Sequence, residues 1–291
     1  MMAQDRASVV TWWTRACLTM LFVLHSVNAQ SVGSDISSAV RGAASDVANA
    51  VGLGPGGAPA PGPTAESPLV GGGSYVALGD SYSAGIGAGD IEGKYYPGCQ
   101  QSPSAAWPTL LAQELGVSSQ FNLSACSGYT SVDILRNETG ALSAATTLVT
   151  LTAGGDDADV SATLAECVEP KIGSFGDCSA AVNASLKNIT NLGGSLDALY
   201  QRIRQLAPNA RVFAANYPDI VPDHDCQVDS DLSSSDIDGL KSLINPLSDQ
   251  IQAAVSRAGS GFYFVDVRPV WVGHALFQSH LREQWLAQRY G

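Results

Sequence analysis

From Ser74 onward, the spacing of apolar residues alternates between short runs and longer helical periods. Tyr75-Val76-Ala77-Leu78 is a short apolar run ending at Gly79-Asp80, which predicts a strand feeding a loop. Pro108 to Leu115 predicts a helix, with proline in its first turn and Gly116 at its stop. Thr147 to Thr152 is a second apolar run, rich in β-branched residues and closed by Gly154-Gly155. Leu196, Leu199, Ile203 and Leu206 are spaced by three and four, giving one helical face that Pro208 closes. Arg211 to Ala215 is the next expected strand. Ile237, Leu240, Ile244, Leu247, Ile251 and Val255 mark a long amphipathic helix with Pro246 as its expected kink. Phe262 to Val267 is the last expected strand. Strands alternating with long helices predict an α/β domain over 74–291 with a mainly parallel sheet. Ligands of such sheets bind beyond the carboxyl ends of the strands, where the Gly-rich turns after Leu78 and Leu151 fall.

The segment before this domain has a different composition. Arg6 and Arg15 precede an apolar run from Ala16 to Leu24, and Val27-Asn28-Ala29 supplies the small residues of a signal-peptidase site. That run is well short of the ~20 residues needed to span a bilayer. Residues 1–29 therefore read as a signal peptide of a secreted protein, with no stable membrane anchor. Residues 30–73 are mostly Ser, Ala, Gly and Pro and end in Gly54-Pro55-Gly56-Gly57-Ala58-Pro59-Ala60-Pro61-Gly62-Pro63, a disordered linker by composition.

Charge and cysteine usage agree with export. The net charge of −12 excludes a nucleic-acid partner, which would need a basic footprint. Of the six cysteines, Cys17 leaves with the signal peptide; Cys99, Cys126, Cys167, Cys178 and Cys226 remain. No CxxC pair marks a zinc or redox site, and an oxidising compartment favours disulfides. Sequons at Asn122, Asn137, Asn183 and Asn188 fit N-glycosylation in a eukaryotic secretory pathway.

Chemistry concentrates after two of the strands. In Gly79-Asp80-Ser81-Tyr82-Ser83-Ala84-Gly85, a serine directly after a buried strand projects its hydroxyl into the cleft, where the turn's amides also face. A serine nucleophile needs a base for its proton and donors for the oxyanion. His274, just after the last strand, is placed to be that base; His280 sits in a polar tail and His224 in an acidic loop.

In this order the blocks resemble the SGNH (GDSL-like) hydrolases, in the secreted esterase and lipase branch that includes streptomycete members. Ser81 matches the nucleophile of the GDS block, and Gly128 in Cys126-Ser127-Gly128 matches the oxyanion-hole glycine. Gly154-Gly155-Asp156-Asp157 matches the GGND block, and His274 matches the base. The resemblance covers Ser74 to about Phe277. It implies a three-layer α/β/α, flavodoxin-like SGNH hydrolase fold and a secreted carboxylic-ester hydrolase with a Ser81–His274 dyad. It also implies a small-molecule or lipid ester as substrate, no cofactor or metal, and a monomer. In that branch the histidine is oriented by a backbone carbonyl three residues earlier, here Trp271, with Asp266 as a rival. Disulfides Cys99–Cys126 and Cys167–Cys178 are implied likewise. Phe277 stands where a further cysteine would pair, leaving Cys226 without a partner.

One position departs from the pattern: Asp156 replaces the asparagine that donates to the oxyanion. An ionised carboxylate donates nothing and repels that charge, whereas a protonated one still donates. The alternatives are an active esterase, a catalytically impaired relative that binds a lipid or glycan ester, and a calcium site built on Asp156, Asp157 and Asp159.

Overall fold

The computed structural model describes residues 73–93, 98–168, 177–221 and 233–271. Residues 1–72, which hold the expected signal peptide and all but the last residue of the expected linker, lie outside the described residues, as do His224, Cys226, His274, Phe277 and His280.

Five parallel strands form the central sheet: β1 (Ser74–Gly79), β4 (Phe121–Leu123), β5 (Thr146–Thr152), β6 (Arg211–Ala215) and β7 (Phe262–Val265). A two-stranded ribbon of β2 (Glu92–Gly93) and β3 (Gln100–Gln101) stands apart from it. The order β4-β1-β5-β6-β7 places β1 between the strand that follows it and β5. The chain thus runs from β1 to one side and then crosses back over it to β5, and the carboxyl ends of β1 and β5 form the switch point at which such sheets bind ligands.

Helices cover the sheet: α1 (Ser81–Ala84), α2 (Trp107–Glu114), α3 (Ser131–Asn137), α4 (Val160–Val168), α5 (Cys178–Asn191), α6 (Gly193–Leu206) and α7 (Ser234–Ala258). They divide the core into two clusters. The larger packs Val76, Leu78, Val149 and Leu151 against Ile189, Leu196, Leu199, Leu243 and Ile251. The smaller packs Tyr75, Ala77 and Phe213 against Ala112 and Val117. Alternate residues of β1 thus face opposite layers, as a sheet buried on both sides requires.

Two expected boundaries shift. The helix expected at Pro108 starts at Trp107, since proline in the first turn lacks only an N–H that would be unpaired anyway. The last strand stops at Val265, because Asp266 turns away to accept from Arg268 and from Asn216 Nδ2 at 2.8 Å. Helix α7 runs without interruption from Ser234 to Ala258 past Pro246, capped by a reciprocal Ser233–Asp236 box. Both implied disulfides, Cys99–Cys126 and Cys167–Cys178, are formed.

Candidate active site

Ser81 is the first residue of α1, directly after the turn that ends β1. Asp80 caps this helix by accepting from the Tyr82 amide at 3.1 Å. It also accepts from Thr152 Oγ1 at 2.8 Å and from the Tyr217 hydroxyl. Gly79 has φ +130°, and a Cβ there would come within 2.5 Å of the Thr152 carbonyl oxygen. Only glycine allows β1 and β5 to approach so closely at this point. Ser83 Oγ accepts from the Thr152 amide at 3.1 Å and shares a 2.8 Å bond with Thr152 Oγ1, fastening the underside of the same turn. Ser81 itself is half-buried.

Gly128 belongs to a second wall. Cys126, two residues earlier, donates its amide to the Gly79 carbonyl at 2.9 Å and is bonded to Cys99. Ser127 donates to the Gln100 carbonyl at 3.1 Å. Gly128 follows with φ +80°. Beneath these residues lies Glu138, only 3% exposed, with its carboxylate accepting the amides of Gly79 at 2.7 Å and Cys126 at 3.1 Å.

The third wall is the turn after β5. The Gly155 amide donates to Tyr217 Oη at 3.0 Å, and that hydroxyl donates to Asp80. Tyr217 therefore ties the Asp156 turn to the Ser81 turn. Asp157 points to α3, accepting from the Ser131 amide at 2.7 Å and its hydroxyl at 3.0 Å. Asp159 accepts from Asn188 Nδ2 at 2.9 Å. Among the described residues no group of three His, Cys, Asp or Glu side chains is gathered to hold a metal ion. Asp156, Asp157 and Asp159 thus form no calcium ligand set among the described residues.

Burial and mutual repulsion raise the carboxyls of this crevice. Asp80 is pushed up to about 6 by burial, against the pull of its three hydrogen bonds. Asp156 is pushed up to about 7 by burial first and then by the charges of Asp80, Asp157, Asp159 and Asp133. Asp157 and Glu138 are raised by burial as well. Each of these groups holds its proton more tightly folded than unfolded. Stability is therefore fullest below the ordinary carboxylate range, and the contributions of Asp80 and Asp156 are lost as pH rises through about 6 and about 7. A single carboxyl displaced as far as Asp80 is worth ~3 kcal/mol, or roughly 6–12 °C of Tm in a domain of this size. The melting temperature is expected to rise as pH is lowered from 8 to 5, with a smaller rise in Asp156→Asn. Thermal unfolding across that range checks this, and a flat or falling Tm contradicts it.

Asp266 has the opposite tendency: Arg268 holds it down at about 2. Its oxygens accept from Arg268 Nε at 2.8 Å, Arg268 Nη2 at 2.6 Å and Asn216 Nδ2 at 2.8 Å. Trp271 closes the short 3-10 turn Arg268–Trp271, and its side chain is hydrogen-bonded to Tyr82. The chain after β7 thus returns to the residue beside Ser81. An open cleft lined by Lys241, Asn245, Asp266 and Arg268 lies elsewhere and includes neither Ser81, Gly128 nor Asp156.

The fold therefore brings the turns carrying Ser81, Gly128 and Asp156 to one sheet edge, where Asp80, Glu138 and Tyr217 fasten them. The motif reading omitted these three. Asp80 was legible as part of the GDS block, whereas nothing local marked Glu138 or Tyr217.

A model of the GDSL-like lipase/acylhydrolase family matches residues 77–286. Lipase 1 of Streptomyces coelicolor is 35% identical over 209 residues, which cover 69% of this chain and 72% of that protein. The crystal structure of an extracellular lipase from Streptomyces rimosus superposes with a TM-score of 0.61 at 30% identity, covering 71% of this chain and 85% of the other. Phospholipase A1 from Streptomyces albidoflavus NA297 gives a TM-score of 0.60 at 31% identity, with 70% and 83% covered. With its parallel sheet, helical layers and crevice at the strand ends, the chain belongs to the GDSL-like lipase/acylhydrolase family and is an ester-hydrolysing enzyme.

Proposed function

We propose that the chain is a secreted serine carboxylic-ester hydrolase in which Ser81 attacks the ester carbonyl and His274 takes its proton. The observation that carries this reading is the convergence of three separate turns beyond β1, β4 and β5. In the first step the Ser81 oxygen bonds to the carbonyl carbon, and the carbonyl electrons move onto oxygen. The amides of Ser81 and Gly128 stabilise that oxyanion, with a protonated Asp156 carboxyl as third donor. Collapse expels the alcohol, which takes the proton from His274. Water, deprotonated by His274, then attacks the acyl carbon, and the Ser81 ester bond breaks to release the carboxylic acid as His274 returns the proton to the Ser81 oxygen.

His274 lies three residues beyond Trp271, a span of at most ~11 Å of extended chain. Trp271 is itself hydrogen-bonded to Tyr82, the residue beside Ser81, which supports His274 as the base. Asp266 is engaged by Arg268 and Asn216, which favours the Trp271 carbonyl as the group that orients the imidazole.

Residues 1–29 act as the signal peptide and 30–73 as a spacer. Asn122, Asn137 and Asn183 are exposed and Asn188 is half-buried, so the first three are the more accessible glycan acceptors. No helix among the described residues is long and apolar enough to cross a membrane.

The test is covalent labelling with an organophosphonate ester, read by mass spectrometry of the tryptic peptide. Ser81 is expected to carry the label, and His274→Ala to slow labelling by about 10²–10⁴, the usual contribution of a general base. The crowding of carboxyls around Asp156 favours a second reading, a binding protein for lipid or glycan esters. Folded protein that stays unlabelled at Ser81 would favour that reading.

A further inference from the structure

The ladder between β1 and β4 ends early. Its register pairs Tyr75 with Phe121, Val76 with Asn122 and Ala77 with Leu123, and goes no further. Ser124 and Ala125 both donate to the Ala77 carbonyl, at 2.8 and 3.1 Å, so the backbone bends away just before the Gly128 turn. From there to the crevice the two segments share one backbone bond, from the Cys126 amide to the Gly79 carbonyl. The crevice nevertheless needs the amides of Ser81 and Gly128 at a fixed separation.

Glu138 fills this gap. It follows α3, the helix that starts just beyond the Gly128 turn, and its side chain is buried beneath the sheet edge. One carboxylate oxygen takes the Gly79 amide at 2.7 Å and the other the Cys126 amide at 3.1 Å. Gly79 is two residues before Ser81, and Cys126 two before Gly128. We infer that Glu138 is a positioning residue that sets the separation of the Ser81 and Gly128 amides by bridging the two turns with one carboxylate. The inference rests on the esterase reading above.

The chemistry supports positioning over simple satisfaction of buried donors. The Cys126 amide already has the Gly79 carbonyl, so the carboxylate is not needed to pair it. Burial raises Glu138, and the Gly79 and Cys126 amides draw it back towards the ionised form in which both oxygens accept. What the carboxylate adds is a rigid two-point clamp between segments that the ladder no longer joins. Its importance grows in this chain, because the third oxyanion donor is available only when Asp156 holds a proton.

The experiment compares Glu138→Gln and Glu138→Asp with the unsubstituted protein on a soluble p-nitrophenyl ester. Active sites are counted by organophosphonate titration. Glutamine keeps the shape but turns an NH2 towards one of the two amides; aspartate keeps both acceptors on a shorter arm. Glu138→Gln is expected to lower kcat per titrated site about 10–100-fold, the effect of displacing aligned groups by a fraction of an ångström. KM should stay within about twofold, and Glu138→Asp should fall between Glu138→Gln and the unsubstituted protein. A purely structural role would reduce Tm and the number of titratable sites while leaving turnover per site unchanged, and that result overturns the inference. If Glu138→Gln does not fold, the same unchanged turnover in Glu138→Asp overturns it. Absence of Ser81-dependent turnover in the unsubstituted protein overturns the esterase reading and this inference together.

Discussion

Ser81→Ala is expected to lower ester turnover by about 10⁴-fold or more, the loss typical of removing a serine nucleophile. The crevice shows why. Ser81 stands at the start of a helix whose entry is fixed by Asp80, by the Gly79–Thr152 approach and by the Ser83–Thr152 bonds. Removing its oxygen leaves that frame intact, because none of those bonds involves the Ser81 side chain. The variant should therefore keep its melting temperature and still bind substrate. Turnover that survives in Ser81→Ala would mean another group attacks the ester.

Asp156→Asn should produce the second large change, in the opposite direction at alkaline pH. Asp156 is pushed up to about 7, so in the proposed mechanism it would donate to the oxyanion below that pH and repel it above. The base needs a neutral imidazole, which is the majority form above ~6.5 for an ordinary histidine. The two requirements overlap only around neutrality, and kcat/KM should follow a narrow bell that peaks there. Asparagine donates at every pH. The alkaline limb should disappear in Asp156→Asn, with a gain of at least ~10-fold at pH 8, where a carboxyl titrating near 7 is mostly ionised. Restoring a full oxyanion donor is worth up to about 10²–10³ in kcat. A fall in activity at pH 8 would show that the carboxylate has taken on a role of its own.

Much of the fold was legible because its main elements have strong patterns. β1, β5 and β6 are short apolar runs in a sheet covered on both sides, while α6 and α7 carry apolar residues at intervals of three and four. Elements with weak patterns escaped. β4 has only three residues, and α3 buries just Ser131 and Ile134. In α5, Val182, Ser185 and Ile189 face inward, a helical spacing obscured by alanine, serine and asparagine between them. The site divides in the same way. Ser81, Gly128 and Asp156 sit in short blocks whose order carries information, whereas Tyr217 meets Asp80 across 137 residues and Glu138 meets Gly79 across 59. Partners so distant leave no local mark in a single sequence, although they hold the blocks together.

The most direct test is the rate of p-nitrophenyl ester hydrolysis from pH 5 to 8.5 by the purified protein beside Ser81→Ala. Ser81-dependent turnover is expected to peak near neutrality and to decline on both sides. No turnover above the Ser81→Ala control at any pH, from folded protein, would contradict this and leave the crevice as a binding site for esters.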